Sequence, residues 1–216
     1  MSTGHVGHRA YHSPRRTQQA NATRSAILDA ARATFVERGY AASSIVGIAR
    51  SASVSAETIY ATFGTKRAVL AALVEVSIAG DDEPVAILDR DWVRELRTEP
   101  DRRRRIEILA RNGRLILERR ARIDDVVHSA AAADPEIRSL LESVRAERHA
   151  GQRALLEIVA GSQGFRAGLT LDDAADRLFA LGSPEVYRLL TDARGWSGDR
   201  FETWYADALA SLLAGG

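Results

Sequence analysis

The residues with the most legible chemistry lie between Ser44 and Lys66, in SIVGIARSASVSAETIYATFGTK. Ser44 and Ser55 carry hydroxyls of the kind that accept from the free amides of a helix's first turn, so each can open a helix. Ile45, Ile48 and Ala49 give the first helix an apolar face, and Val54, Ile59 and Phe63 supply the face that packs on it. Ala56, Glu57, Thr58 and Thr62 are left pointing elsewhere. They are small or polar, which suits a helix pushed into a groove. Two short helices, a tight turn and a third helix opening on a lysine make the outline of a helix-turn-helix.

Other chemistries find little support. The chain has no cysteine, which excludes disulfides, cysteine-ligated zinc and a thiol nucleophile. His5, His8 and His12 lie in a polar leader, and His128 and His149 stand alone, so no metal site is expected. There is no glycine-rich phosphate loop, no nucleophile elbow and no His/Asp/Ser set in a recognisable context, so no enzyme and no cofactor are expected. Asp81-Asp82-Glu83 and Asp124-Asp125 border predicted helices and read as caps. No apolar run approaches the roughly 20 residues that span a bilayer, and no signal peptide is seen; a cytoplasmic protein with no membrane partner is the expectation.

The elements that must position Ser44–Lys66 follow from periodicity. Thr23 to Gly39 places Ile27, Leu28, Ala31, Phe35 and Val36 at helical intervals before a glycine stop. Helices are then predicted from Ser44, from Ser55, and after Gly64 with Thr65 as N-cap. Asp81 to Pro84 is a polar break. Beyond it the spacings are helical over Pro84–Arg97, Asp101–Arg122, Pro135–Val159, Leu171–Ala193 and Asp199–Leu213, with Gly182-Ser183-Pro184 expected to kink or divide the penultimate helix. The fold class is all-α, with about nine helices. Residues 1–21 read as a disordered basic arm, with Arg9, Arg15 and Arg16 as its cations, and residues 22–80 and 81–216 as two helical domains. Residues 1–70 hold nine Lys/Arg against three Asp/Glu, net +6, while the whole chain is only +1. A polyanion is therefore expected to meet the first part alone.

Thr23-Arg24, Ile27-Leu28, Ala30-Ala31, Phe35, Gly39-Tyr40, Ser43-Ser44-Ile45, Ile48-Ala49, Val54-Ser55, Tyr60, Phe63 and Lys66 fall in the order and spacing of the N-terminal domain of the TetR family of transcriptional regulators, which this chain resembles over roughly Thr23–Leu73. Leu178 to Tyr187, Gly195-Trp196 and Phe201 to Trp204 resemble the last two helices of a common C-terminal domain of that family. The resemblance implies a three-helix DNA-binding domain joined to a larger ligand-binding and dimerisation domain. It implies a homodimeric repressor that binds a palindromic double-stranded DNA operator and releases it when a small-molecule effector enters. One residue departs from the family: the turn has Ser53 where glycine is usual. A left-handed backbone there costs serine on the order of 1 kcal/mol. The alternative reading is a degenerate, dimeric ligand-binding or protein-interaction module that no longer binds an operator.

By the same resemblance Ser44, Tyr60, Thr62 and Lys66 are phosphate contacts, and Ala56, Glu57 and Thr58, following Ser55, face the bases. The plainer readings are that Tyr60 is core, that Thr58 only caps, and that Glu57 only complements the helix dipole. Leu178, Leu181, Val186 and Leu189, with Phe201, Trp204, Tyr205, Leu209 and Leu212, form two apolar stripes that would make a four-helix dimer interface, or else monomer core. A ligand pocket between the middle helices would draw on Trp92, Leu109, Asn112, Ile116 and His128, with structural hydrogen bonds as the other explanation of Asn112 and His128. The arginines from Arg102 to Arg120 read as a solvated face, or as selectors of an anionic ligand.

Overall fold

The computed structural model describes residues 14–83 and 85–213, with side chains from Gln18 onward. Residues 1–13, with Arg9 and the leader histidines, and the side chains of Arg15 and Arg16 lie outside the described residues. Helix α1 runs Pro14–Ala42, so residues 14–21, read from sequence as part of the arm, are helical. Proline fits a first helical position, where its missing N–H costs nothing, and the following Gln and Ala residues are good helix formers. Gly39, at φ 76°, interrupts α1 and leaves one further turn.

Helices α2 (Ile45–Ser51), α3 (Ala56–Phe63) and α4 (Lys66–Ala79) follow. Each opens on a hydroxyl: Ser44 accepts from the Gly47 amide at 3.1 Å, Ser55 from Thr58 at 3.1 Å, and Thr65 from Ala68 at 3.0 Å. A 3₁₀ turn (Ile87–Asp89) leads to α5 (Asp91–Thr98), α6 (Arg102–Ala131), α7 (Pro135–Ala160), α8 (Leu171–Leu181), α9 (Pro184–Arg188), a π-helical turn (Leu189–Ala193) and α10 (Gly198–Ala210). The described residues form no strand, and counting α8 and α9 as one divided helix gives nine, as expected. The division falls at Gly182-Ser183-Pro184, where Ser183 turns extended and caps α9.

Two expectations need correction. Pro84–Arg97 is not one helix: Arg90 is extended, at φ −70° and ψ 152°, and its guanidinium grips Asp81 through two nitrogens. Asp124-Asp125 caps nothing, because α6 continues to Ala131 with no proline or glycine after Gly113 to stop it. Asp124 sits mid-helix, buried, and accepts from Arg120 Nε and Nη2 at 2.6 and 2.8 Å, while Asp125 pairs with Arg188.

Two cores result. The first joins Ile27, Ala31, Phe35, Ile48, Ile59, Leu70 and Leu73 to Ile123 and Val127 of α6 and to Ile137 and Leu141 of α7. The second collects α5, the N-terminal half of α6, the C-terminal part of α7, and α8 to α10. The helix-turn-helix therefore has no private core, since α6 and α7 run through both.

The Arg120–Asp124 pair, at 4% exposure on each side, supports a first prediction. Asp124→Ala strands a buried guanidinium and should lower unfolding stability by about 3–5 kcal/mol in denaturant titrations, whereas Arg120→Met with Asp124→Leu should recover most of it.

Candidate functional site

The reading head is set by a turn. Ser53 has φ 55° and is the one non-glycine residue of positive φ among the described residues. Its amide donates to the Arg50 carbonyl at 3.3 Å and that of Val54 to Ala49 at 3.0 Å, the paired bonds of a Schellman stop. The turn thus has the geometry glycine would give it, with the side chain carrying the strain.

Helix α3 divides the residues read as pointing away from its packed face: Glu57 and Thr62 are exposed, whereas Ala56 packs against the first core. Ile59 is buried, while Tyr60 is 54% exposed, so Tyr60 is not core. Glu57 is fully exposed, and its own backbone amide and then the Ser55 hydroxyl hold its carboxyl below the usual range. Thr58 is half-buried, its hydroxyl 3.1 Å from that of Ser55. The Thr62 hydroxyl donates to the Thr58 carbonyl at 2.7 Å and must release it to donate elsewhere.

Lys66 faces inward. Its ammonium donates to the carbonyls of Tyr40 and Ser43, both at 2.9 Å, and lies 4.1 Å from the centre of the Tyr40 ring. Burial lowers its pKa, with Asp134 opposing. An ammonium has three donors, so one remains. Lys66 is therefore a latch that ties the end of α1 and the entry to α2 onto α4.

Four of the nine cations counted in residues 1–70, Lys66 among them, are committed to partners in the fold. Arg24 pairs with Asp82 at 2.6 Å, Arg67 with Glu136 at 3.1 Å, and Arg32 serves backbone and Ser77. Two exposed residues were missed from sequence: Arg50 at the end of α2 and Val46, 60% exposed. The signal was available, because both lie opposite Ile45, Ile48 and Ala49 on the helical wheel.

The apolar stripes divide. Leu178, Phe201, Tyr205, Leu209 and Leu212 are at most 3% exposed within one chain, with the Phe201 ring 4.8 Å from Tyr187 and 5.6 Å from Tyr205. They are monomer core, because α6 and α8 cover that side of α10. Leu181, Val186 and Trp204 keep surface, and Leu189 is 59% exposed.

A cleft of about 1270 Å³ opens between α4 to α8 and α10. Trp92, Leu109 and Ile116 line it, with Val76, Ile78 and Ala79 of α4 at its mouth. Asn112 and His128 do not: Asn112 donates to the Ile108 carbonyl at 2.8 Å, and His128 Nδ1 lies 3.0 Å from the Asp124 carbonyl. Sequence reasoning missed Arg148, Gln152 and Gly182 of the wall.

These features define an all-helical chain with a helix-turn-helix head and a hollow body. Residues 27–73 match the family model for bacterial regulatory proteins of the tetR family, in agreement with the resemblance read over Thr23–Leu73. Solved structures of similar fold include a TetR-family transcriptional regulator from Mesorhizobium loti (18% identity, TM-score 0.67, covering 89% of this chain and 96% of that one). Others are the regulator FadR from Bacillus subtilis in complex with stearoyl-CoA (17%, 0.68, 87% and 97%) and a transcriptional regulator from Saccharomonospora viridis in complex with choline (24%, 0.63, 87% and 95%). At such identities the likeness shows the fold. Curated protein sequences gave no match. The matched family and these neighbours are transcriptional regulators and not enzymes, and no helix among the described residues is long and apolar enough to cross a membrane.

Ser53→Gly removes the strain at φ 55° while keeping both turn bonds. It should raise stability by roughly 0.5–1 kcal/mol, after the larger unfolded-state entropy of glycine is subtracted, and leave DNA affinity equal or higher. A clear loss of affinity in a binding titration would show that the side chain itself touches DNA.

Proposed function

We propose that this chain is a cytoplasmic transcriptional repressor that binds a palindromic operator as a homodimer and releases it when a small molecule fills the cleft. The observation that carries the reading is the outer face of α3: Glu57, Tyr60 and Thr62 stand clear of the core, and Ala56 keeps part of its surface, on a frame held by three hydroxyl caps and the Lys66 latch. On that reading Glu57 accepts from cytosine N4, Ala56 and Thr58 meet thymine methyls, and Ser44, Tyr60, Thr62 and the remaining Lys66 donor hold phosphates. Arg50 adds a cation.

Residues 22–80 act as the DNA-binding unit and 81–216 as the effector and dimerisation unit. Helix α4 connects them. Its last turn forms part of the cleft wall, and its first residue latches the head about 21 Å away at 1.5 Å per residue. A ligand that displaces Val76, Ile78 and Ala79 turns the head as a rigid body and changes the spacing of the two recognition helices in a dimer. Leu181, Val186, Leu189 and Trp204 are the residues left to form the dimer seam. The neighbours in complex with stearoyl-CoA and with choline support a small-molecule effector.

The rival reading, a dimeric binding module without an operator, draws only on Ser53, and the turn keeps its form. Fluorescence anisotropy with DNA from upstream of the coding region separates the two. Repressor binding should fall on the order of 10³-fold between 50 and 200 mM salt. Tyr60→Phe and Thr62→Ala should weaken all sites alike, and Glu57→Gln should shift base preference by about 1–3 kcal/mol at one position. A folded dimer that moves no fragment at low salt is the rival.

A further inference from the structure

The buried end of the cleft holds polar groups left without partners. Arg148 on α7 donates through one nitrogen, Nη1, to the carbonyls of Phe179 and Gly182 at 2.8 and 3.2 Å. Its guanidinium carbon lies 3.7 Å from the centre of the Phe179 ring. These contacts cap the end of α8, whose carbonyls carry partial negative charge. They leave Nε and Nη2 without a partner, and no carboxylate lies within ion-pair distance of Arg148 among the described residues. Arg120, which is buried in the same wall, differs, since it is matched by Asp124 through two bonds.

One helical turn along α7, Gln152 shares the same wall. Its Nε2 points to the Gly182 carbonyl at 3.5 Å, and its Oε1 is buried with no donor. The Tyr205 hydroxyl also lacks a hydrogen-bond partner among the described residues. Two glycines make room for that ring. A Cβ at Gly113 would meet Tyr205 Cε1 at 2.8 Å, and one at Gly182 would overlap the hydroxyl. Native structures leave few buried groups such as Gln152 Oε1 unsatisfied, and it shares with Arg148 and the Tyr205 hydroxyl one cleft whose apolar walls include Trp92, Leu109, Ile116, Leu155 and Leu178.

The geometry points to an amphipathic organic carboxylate as the occupant: its acid group accepts from Arg148 Nε and Nη2 and from Tyr205, a hydroxyl or amide N–H beside it donates to Gln152 Oε1, and its apolar body lies toward Trp92. The inference rests on the cleft being the effector site and names the ligand class. Arg148 is cationic at neutral pH even though burial pushes it down to about 10. An ammonium ligand would meet this cation head-on, and a neutral alcohol would leave its donors unmatched. The acidic residues of the wall, Glu75, Asp81, Asp82, Glu83, Asp89 and Glu147, are exposed, and none of them pairs with Arg148; Glu147 accepts from the Ser143 hydroxyl instead.

The full chain is titrated calorimetrically, below micellar concentrations, with decanoate, 3-hydroxydecanoate, 1-decanol and decyltrimethylammonium, and operator binding is measured on the same samples. Decanoate should bind about tenfold more tightly than decanol, and 3-hydroxydecanoate more tightly again, as charge-assisted and donor-matched hydrogen bonds require. The ammonium should bind least. Arg148→Gln should bring decanoate down to the level of decanol. Tyr205→Phe keeps the ring in the core and should weaken decanoate roughly threefold with decanol unchanged. If Arg148→Gln does not fold, the order of the four probes in the unmodified chain and in Tyr205→Phe decides. Decanol or the ammonium binding as tightly as decanoate overturns the carboxylate while leaving the cleft an effector site. Binding of none of the four overturns the inference, and operator affinity without probe reports the repressor reading independently.

Discussion

The last turn of α4 ends in carbonyls that no residue of its own helix can satisfy, and the arrangement of the whole molecule turns on where they find donors. Arg119 of α6 supplies them, donating from Nε to Ser77 and from Nη2 to Ile78, both at 3.1 Å. Arg32 of α1 completes the joint by donating to the Arg119 carbonyl at 3.0 Å and to the Ser77 hydroxyl at 2.8 Å. Three helices are thereby fixed at one point, with Ser77 fully buried beneath it. The cleft opens beside this joint, so the contacts that hold the head are those a ligand would disturb.

From that joint α4 runs as a strut to Lys66, where carbonyls at the end of α1 and before α2, that of Tyr40 already accepting from the Ser43 amide, are met by one ammonium. The same physical demand is answered twice by a long cationic side chain, at opposite ends of one helix. Between them, α2 and α3 contribute little buried surface of their own. Ile45, Ile48, Ala49 and Ile59 are their buried residues, and the rest of the first core comes from α1, α4, α6 and α7. Short helices of this kind hold their orientation through tertiary packing, which explains why the ends of α6 and α7 reach into a module that the chain order alone would close at residue 80.

Much of the reading head was legible in the residues. Ser44, Ser55 and Thr65 cap helices because a hydroxyl three residues before a free amide has an obvious partner, and that relation is local. The division at Gly182-Ser183-Pro184 was legible for the same reason, whereas the positive φ at Ser53 was expected only through the family resemblance, in which glycine is usual at that position. The direction of Lys66 was not, because its acceptors lie 23 and 26 residues away. Charge counting suffered likewise, since Arg24, Arg32 and Arg67 look solvent-facing in a list of residues and meet partners only in the fold.

The sequence by itself determined the all-helical class, the helix starts and the exposure of Glu57 and Thr62 on α3, since each depends on neighbours within one or two turns of chain. Tertiary structure alone decided which apolar residues are core and which remain for a partner, moving Leu178, Phe201, Tyr205, Leu209 and Leu212 inward and leaving Leu189 outside. It also decided that Arg148 and Gln152 share a cleft with Tyr205 while Asn112 and His128 do not. Periodicity fixes which face of a helix is apolar, but the identity of whatever covers that face is set by helices far away in the chain.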